Sequence, residues 1–159
     1  MGLSLRPLWP SDAAEVIALY RDAVLTQTVG LYSEAQIQAW AEHAGRDPGL
    51  AAALQRGWGL ASCGGPDGVA IEAFALLDPL DRLSLLYCRG RSSRQGRATA
   101  LVRGLEQEAI QRGVQRLRTE ASQLSRPLLQ RLGWVVEAEE EVLFAGVLFR
   151  RWRMIRTLI

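Results

Sequence analysis

The stretch from Arg82 to Arg112 constrains the fold more than any other. RLSLLYC, residues 82–88, carries few polar side chains, the pattern of a strand central in its sheet and covered on both sides. A loop rich in Arg, Ser and Gly follows over Arg89–Arg94. From Gln95 to Arg112, Ala98, Leu101, Val102, Leu105, Ala109 and Ile110 recur at helical spacing, and Gly113 ends the run. A buried strand passing through a short loop into a long amphipathic helix belongs to a layered sheet-and-helix domain.

The flanking segments supply the other layers. Leu3–Leu8 alternates as a strand, and Pro10-Ser11-Asp12 is placed to cap a helix from Ala13 to about Val24. A second helix starts at Tyr32-Ser33-Glu34, where Ser33 and Gln36 fit a capping box and Ile37, Trp40 and Ala41 share a face. A third covers Pro48–Gln55. Trp58–Cys63 and Val69–Leu77 read as a hairpin around a Gly-rich turn, and Asp78–Asp81 turns the chain into the central strand. Beyond the long helix come a strand, Val114–Ala121, a short helix, Leu124–Leu132, and two strands, Trp134–Leu143 and Val147–Met154, joined at Ala145-Gly146. At 159 residues, with no repeat, low-complexity segment or dividing linker, residues 1–159 read as a single domain.

Several function classes are disfavoured. Cys63 and Cys88 make neither a disulfide framework nor a metal pattern. The lone histidine, His43, argues against a histidine-rich metal site and most hydrolase triads, and reads as a surface or capping residue. No metal is expected. The N-terminus lacks a signal-peptide pattern and no run of about 18 apolar residues exists, so a cytoplasmic protein without a membrane partner is expected.

Charge is unevenly spread. Residues 1–81 hold four Arg against ten Asp and Glu, whereas 82–159 hold fifteen Arg against seven Glu, and there is no Lys. The basic half suggests an anionic ligand. Nucleic acid is not expected, since no helix-turn-helix, RNP or finger pattern is present. Arg150, Arg151, Arg153 and Arg156 read instead as a solvated or dimer-edge strand.

The chemistry concentrates between Leu83 and Trp134. The first turn of a helix offers unpaired N–H groups and a partial positive charge, which together bind phosphate. Small residues at Gly96, Ala98 and Ala100 let a bulky anion approach the backbone, and Arg89, Arg91, Arg94 and Arg97 surround it. The physical reading is a pyrophosphate site at the start of the long helix.

Gln95-Gly96-Arg97-Ala98-Thr99-Ala100 resembles the Q/R-x-x-G-x-G/A motif of the GNAT acyltransferase superfamily, and Ser122–Trp134 is similar to its downstream N-x-x-A-x-x-L/F-Y-x-x-x-G-F signature. LYSEAQIQAWAEH resembles a segment of one bacterial branch. The resemblance spans nearly the whole chain. It implies a GNAT-like α/β (α+β) fold: a mixed, mostly antiparallel twisted sheet with helices on both faces.

It also implies acetyl-CoA as co-substrate. Backbone groups of Leu86, Tyr87 and Cys88 would pair with pantetheine in the gap beside Arg116–Ala121. Amides of Gln95, Gly96, Arg97, Ala98, Thr99 and Ala100 would hold the pyrophosphate, and Arg94 or another loop arginine the 3′-phosphate. Ser125, in the downstream motif, joins this set. Tyr32 and Trp40 would wall an acceptor pocket, together with Ser84. The implied reaction is transfer of acetyl to a primary amine of a small molecule or protein, with a homodimer using Trp152, Met154 and Ile155 as a further expectation.

The sequence departs from the pattern in places. Ala98 stands where a glycine is usual, Leu129 where many members have a proton-donating tyrosine, Ser84 where an acid is common, and Ser122 where Asn is. A non-catalytic acyl-CoA-binding or regulatory module is therefore the alternative. For catalysis, Glu72 is a candidate base, against a reading as the solvent side of an alternating strand. Glu120 is a candidate for binding or deprotonating the amine, against a simple arginine ion pair. Tyr87 is a candidate acid or a packing residue. Cys88, with no histidine motif to activate it, reads as a small buried filler.

Overall fold

Apolar alternation and helical periodicity place fourteen short segments into two layers of helix around one sheet. The computed structural model describes residues 4–46 and 49–158. The strands are β1 (Ser4–Pro7), β2 (Trp58–Gly64), β3 (Ala70–Leu77), β4 (Arg82–Cys88), β5 (Arg116–Ala121), β6 (Val135–Phe144) and β7 (Val147–Thr157). The helices are α1 (Ala13–Gln27), α2 (Glu34–Arg46), α3 (Gly49–Arg56), α4 (Arg97–Gln111) and α5 (Arg126–Arg131), with single 3-10 turns at Pro10–Asp12 and Gly90–Ser92. Of the expected ends, Leu3 and Pro48 lie outside the described residues.

The sheet runs β1-β2-β3-β4-β5-β7-β6. Every neighbouring pair is antiparallel except β4 and β5, so the sheet is mixed and mostly antiparallel, as expected. One core lies between the sheet and α1–α3, built on Leu19, Trp40, Leu54, Phe74 and Leu76. The other lies under α4 and α5, built on Leu83, Leu101, Leu105, Leu129 and Met154.

Two strands carry an extra residue. Ser62 faces Ala73 and Cys63 faces Ile71, so Glu72 is inserted in β3 without a partner on β2. Leu76 faces Leu85 and Leu77 faces Leu83, so Ser84 is inserted in β4. Such bulges bend a strand and re-aim its side chains.

Four expectations need correction. β4 is fourth of seven, but Ser84–Cys88 are only half-buried, because one edge is unpaired and one face borders a cavity. Asp12 does not accept from the first turn of α1; it takes the Trp9 N–H at 2.8 Å and both terminal nitrogens of Arg6 at 2.9 Å. The Ser33–Gln36 box forms as expected, with reciprocal bonds of 2.8 and 3.1 Å. The last strand is not an edge: β7 lies between β5 and β6. Trp152 and Met154 are 7% and 0% exposed within the chain's own core, which leaves neither for a dimer surface. Its arginines also face the acidic strand β6, with Arg150 paired to Glu139 and Arg151 and Arg153 to Glu140.

Candidate active site

The site forms where β4 and β5 part. They pair only at Arg82–Arg118 and Leu83–Thr119, and the Thr119 hydroxyl closes the junction by donating to the Leu83 carbonyl at 2.6 Å. Beyond it the β5-facing edge of Ser84–Cys88 has no strand partner, while the other edge stays paired with β3. The result is a groove between β4 and β5, bordered by Leu86, Thr119, Glu120, Ser125 and Leu129. An unpaired strand edge can accept an extended ligand in strand-like fashion.

At the far end of β4 the chain reaches α4. Gly96 is its N-cap, with φ of +80° and open space where a Cβ would sit. No side chain caps the helix, so amide hydrogens of its first turn are available for an anion. Arg94, also left-handed at φ of +60°, is exposed and makes no hydrogen bond or ion pair among the described residues.

The other loop arginines are committed to protein groups. Arg97 donates to Ser62 Oγ at 2.8 Å and to the Cys63 carbonyl at 3.2 Å, and reaches Gln95 Oε1 at 3.2 Å. Arg89 donates to the Ile71 carbonyl at 3.0 Å. Arg91 grips Glu72 through two bonds of 2.8 and 2.5 Å, and the Ser92 hydroxyl donates to the same carboxylate.

That places Glu72 outside both of its sequence readings. It is 2% exposed and does not face solvent, because the bulge turns it under the loop that leads to α4. The Arg91 hydrogen bonds, aided by Ser92, hold its carboxyl down at about 2, against the burial that pushes it up. A carboxylate so weakly basic and so fully bonded anchors the loop and does not serve as a base.

On the α1–α2 side the groove adjoins a cavity of about 380 Å³. Trp40, Ser84, Leu85, Tyr87, Glu120 and Ser122 border both spaces, so the two meet along these residues. Glu120 sits at that junction, paired with Arg82 at 3.0 Å, so both readings of this residue meet in one position. Ser84 reaches back to the Leu76 carbonyl at 3.3 Å. Trp40 Nε1 donates to the Tyr87 hydroxyl at 3.1 Å, and Tyr32 accepts the Gln123 N–H at 2.7 Å. Burial pushes the Tyr87 phenol well above its ordinary value, so it stays protonated, accepting from Trp40 while keeping its own hydrogen to donate. Cys88 is pushed up to about 11 by burial, in keeping with a packing role. At the start of α5 the backbone N–H groups of Ser122 and Ser125 each donate to the other's hydroxyl oxygen at 3.0 Å. Leu129 is 1% exposed in the core beneath the groove.

Sequence reasoning missed Tyr20, Phe144, Phe149 and Arg82, and placed His43 at the surface. All border the cavity, with the His43 ring tilted against Phe144 at 4.5 Å between centroids. Phe144 and Phe149 flank the Ala145-Gly146 turn, and only the curl of the β6–β7 hairpin toward α2 brings them here, fixed by Gln36 donating to the Leu148 carbonyl at 3.0 Å.

Comparison with known proteins assigns the family and the fold. The model of the acetyltransferase (GNAT) domain matches residues 67–156. A GCN5-related N-acetyltransferase from Rhodopseudomonas palustris is similar at 29% identity, over 99% of this chain and 98% of that one, with a TM-score of 0.87. The PaiA N-acetyltransferase of Thermoplasma acidophilum, solved with coenzyme A, shares the fold at 18% identity and a TM-score of 0.76 over 99% of each chain. Phosphinothricin acetyltransferase of Sinorhizobium meliloti, solved with AcCoA, shares it at 17% identity and 0.68, over 99% of this chain and 89% of that one. No curated protein matches the sequence significantly.

Proposed function

Since the chain belongs to the GNAT acetyltransferase family, we propose that it moves acetyl from acetyl-CoA to a primary amine by direct attack, with the acceptor held in the cavity beside β4. The observation that carries this reading is the junction of groove and cavity at Glu120. A donor and an acceptor entering from opposite sides would meet there.

The residues present fit the donor. The free edge of Leu86–Cys88 suits an amide-bearing arm, and the uncapped turn at Gly96–Ala100 suits a pyrophosphate. Arg94 is the loop cation left for a further phosphate. Bound there, acetyl-CoA supplies a thioester whose acyl carbon is electrophilic. The new bond is amine nitrogen to acyl carbon, and the bond broken is carbon to sulfur. Glu120 orients the amine and accepts its proton, directly or through water. Tyr87, kept protonated by burial and lining both spaces, would offer its hydroxyl hydrogen to the departing sulfur. Ser84, Tyr32 and Trp40 shape the acceptor side.

A second reading rests on Leu129. No hydroxyl stands at that position, so an acyl-CoA-binding module without turnover remains its competitor. Thiol release from acetyl-CoA in the presence of primary amines separates the two. The transferase reading expects amine-dependent thiol and an N-acetyl product, with kcat reduced about 10²-fold or more in Glu120→Gln. Acetyl-CoA binding with no amine-dependent thiol would favour the module.

A further inference from the structure

We propose that the acceptor is an arylalkyl monoamine, a primary amine carrying one or two aromatic rings and a single positive charge. The inference rests on the transferase reading above and concerns the same cavity.

Six aromatic side chains, Tyr20, Tyr32, Trp40, Tyr87, Phe144 and Phe149, border the space. They form a connected set with Trp40 at its hub: Tyr32 lies 5.3 Å from it, Phe149 6.0 Å and Tyr87 6.3 Å, all edge to face. Tyr20 and Phe144 extend the set through Tyr87 and Phe149, at 4.3 and 5.6 Å. Hydrogen bonds from Trp40 to Tyr87 and from Gln123 to Tyr32 fix three of these rings in place. A wall of fixed rings rewards an aromatic guest, which finds edge-to-face partners on several sides. At about 380 Å³ the cavity is at the small end of ligand sites, enough for one or two rings.

Charge limits the guest to one ammonium. Two carboxylates border the cavity, and each already holds an arginine, Asp78 with Arg56 at 2.8 Å and Glu120 with Arg82 at 3.0 Å. Arg151, bonded to Glu140 at 2.7 Å, adds another cation to the wall. Arg82 holds Glu120 through Oε2 alone, which leaves Oε1 for one ammonium, whereas Arg56 engages both oxygens of Asp78. The second and third ammonium groups of a polyamine would therefore meet arginines and no open carboxylate oxygen. A lysine side chain would present only its aliphatic stem to the rings.

The test measures kcat/KM by thiol release for phenethylamine, tryptamine, butylamine, spermidine and a lysine-containing peptide. Phenethylamine or tryptamine should exceed butylamine about tenfold. They should exceed spermidine about a hundredfold. Phe149→Leu should lower the arylalkyl value several-fold to about tenfold and the butylamine value clearly less, with acetyl-CoA affinity within about twofold, which a general loss of structure would not do. Preference for spermidine or the peptide, or equal loss for butylamine in the variant, overturns the proposal and leaves the transferase reading standing. If no amine releases thiol, calorimetric titration of tryptamine into protein saturated with CoA decides. Binding weakened by Phe149→Leu keeps the ligand class and overturns transfer, whereas absence of binding overturns the class.

Discussion

At the residue scale, Glu72 shows how a charge can serve a site it does not touch. Its carboxylate collects Arg91 and Ser92, with Arg89 4.0 Å away, and so ties β3 to the loop that delivers α4. Because its folded value is depressed from 4.5 to about 2, the stability it lends is complete above the unfolded value and is lost as pH falls through the folded one. The wild type should therefore lose thermal stability between about pH 4.5 and 2, and Glu72→Gln should flatten part of that limb. At neutral pH the same variant should cost about 1–3 kcal/mol, measured by denaturant unfolding. Alternation along β3 was legible in the sequence, but the bulge was not, and it is the bulge that turns Glu72 inward. Nothing local to Ile71-Glu72-Ala73 announces it, because bulges are set by pairing with a distant strand.

At the element scale, close approach is what glycine makes possible here. A Cβ at Gly57, between α3 and β2, would stand 2.6 Å from the Leu77 carbonyl oxygen and 2.9 Å from that of Ala53. Both are backbone atoms and neither can turn aside. Gly57→Ala should cost about 1–3 kcal/mol by denaturant unfolding. Gly104, on α4, would place its Cβ 2.6 Å from a terminal methyl of Leu60, which a rotamer change can move. Helix propensity favours Ala over Gly by about 1 kcal/mol, so Gly104→Ala should be close to neutral. The β6–β7 turn offers the opposite opportunity. Ala145 and Gly146 both have positive φ, at 51° and 80°, and Ala is poorly suited to the first position. Ala145→Asn should raise stability by about 0.5–1 kcal/mol, read as an increase in Tm. Element type and order were legible throughout, since the periodicities of strand and helix are local. The curl that carries Phe144 and Phe149 to the cavity was not, because it depends on where the hairpin tip meets α2.

At the scale of the whole molecule, folding offsets part of the charge imbalance between the two halves of the sequence. Acids of the first half meet arginines of the second, Glu72 with Arg91 and Asp81 with Arg118, while the arginines of β7 are matched within their own half by the glutamates of β6. Among the loop arginines, Arg94 is the uncommitted one, so Arg94→Gln should weaken acetyl-CoA binding by about 0.5–1 kcal/mol, with the loss shrinking in high salt. No helix among the described residues is long and apolar enough to cross a membrane. The motif at Gln95–Ala100 marked the helix start correctly, because phosphate-binding turns carry a short local signature. The cavity beside β4 draws on α1, α2, α3, β4, β5 and the β6–β7 hairpin, and no contiguous segment could have outlined it.

The central claim is that acetyl-CoA is held at the split of β4 and β5 with its pyrophosphate on the first turn of α4. Titration calorimetry of acetyl-CoA against the wild type, Gly96→Asn and Gly96→Asp tests it most directly. Both side chains tolerate left-handed backbone, and only aspartate brings a negative charge to the turn. The account expects micromolar binding to the wild type, near-wild-type affinity in Gly96→Asn, and at least about a tenfold loss in Gly96→Asp. No binding by the wild type, or equal affinity in the two variants, would contradict it.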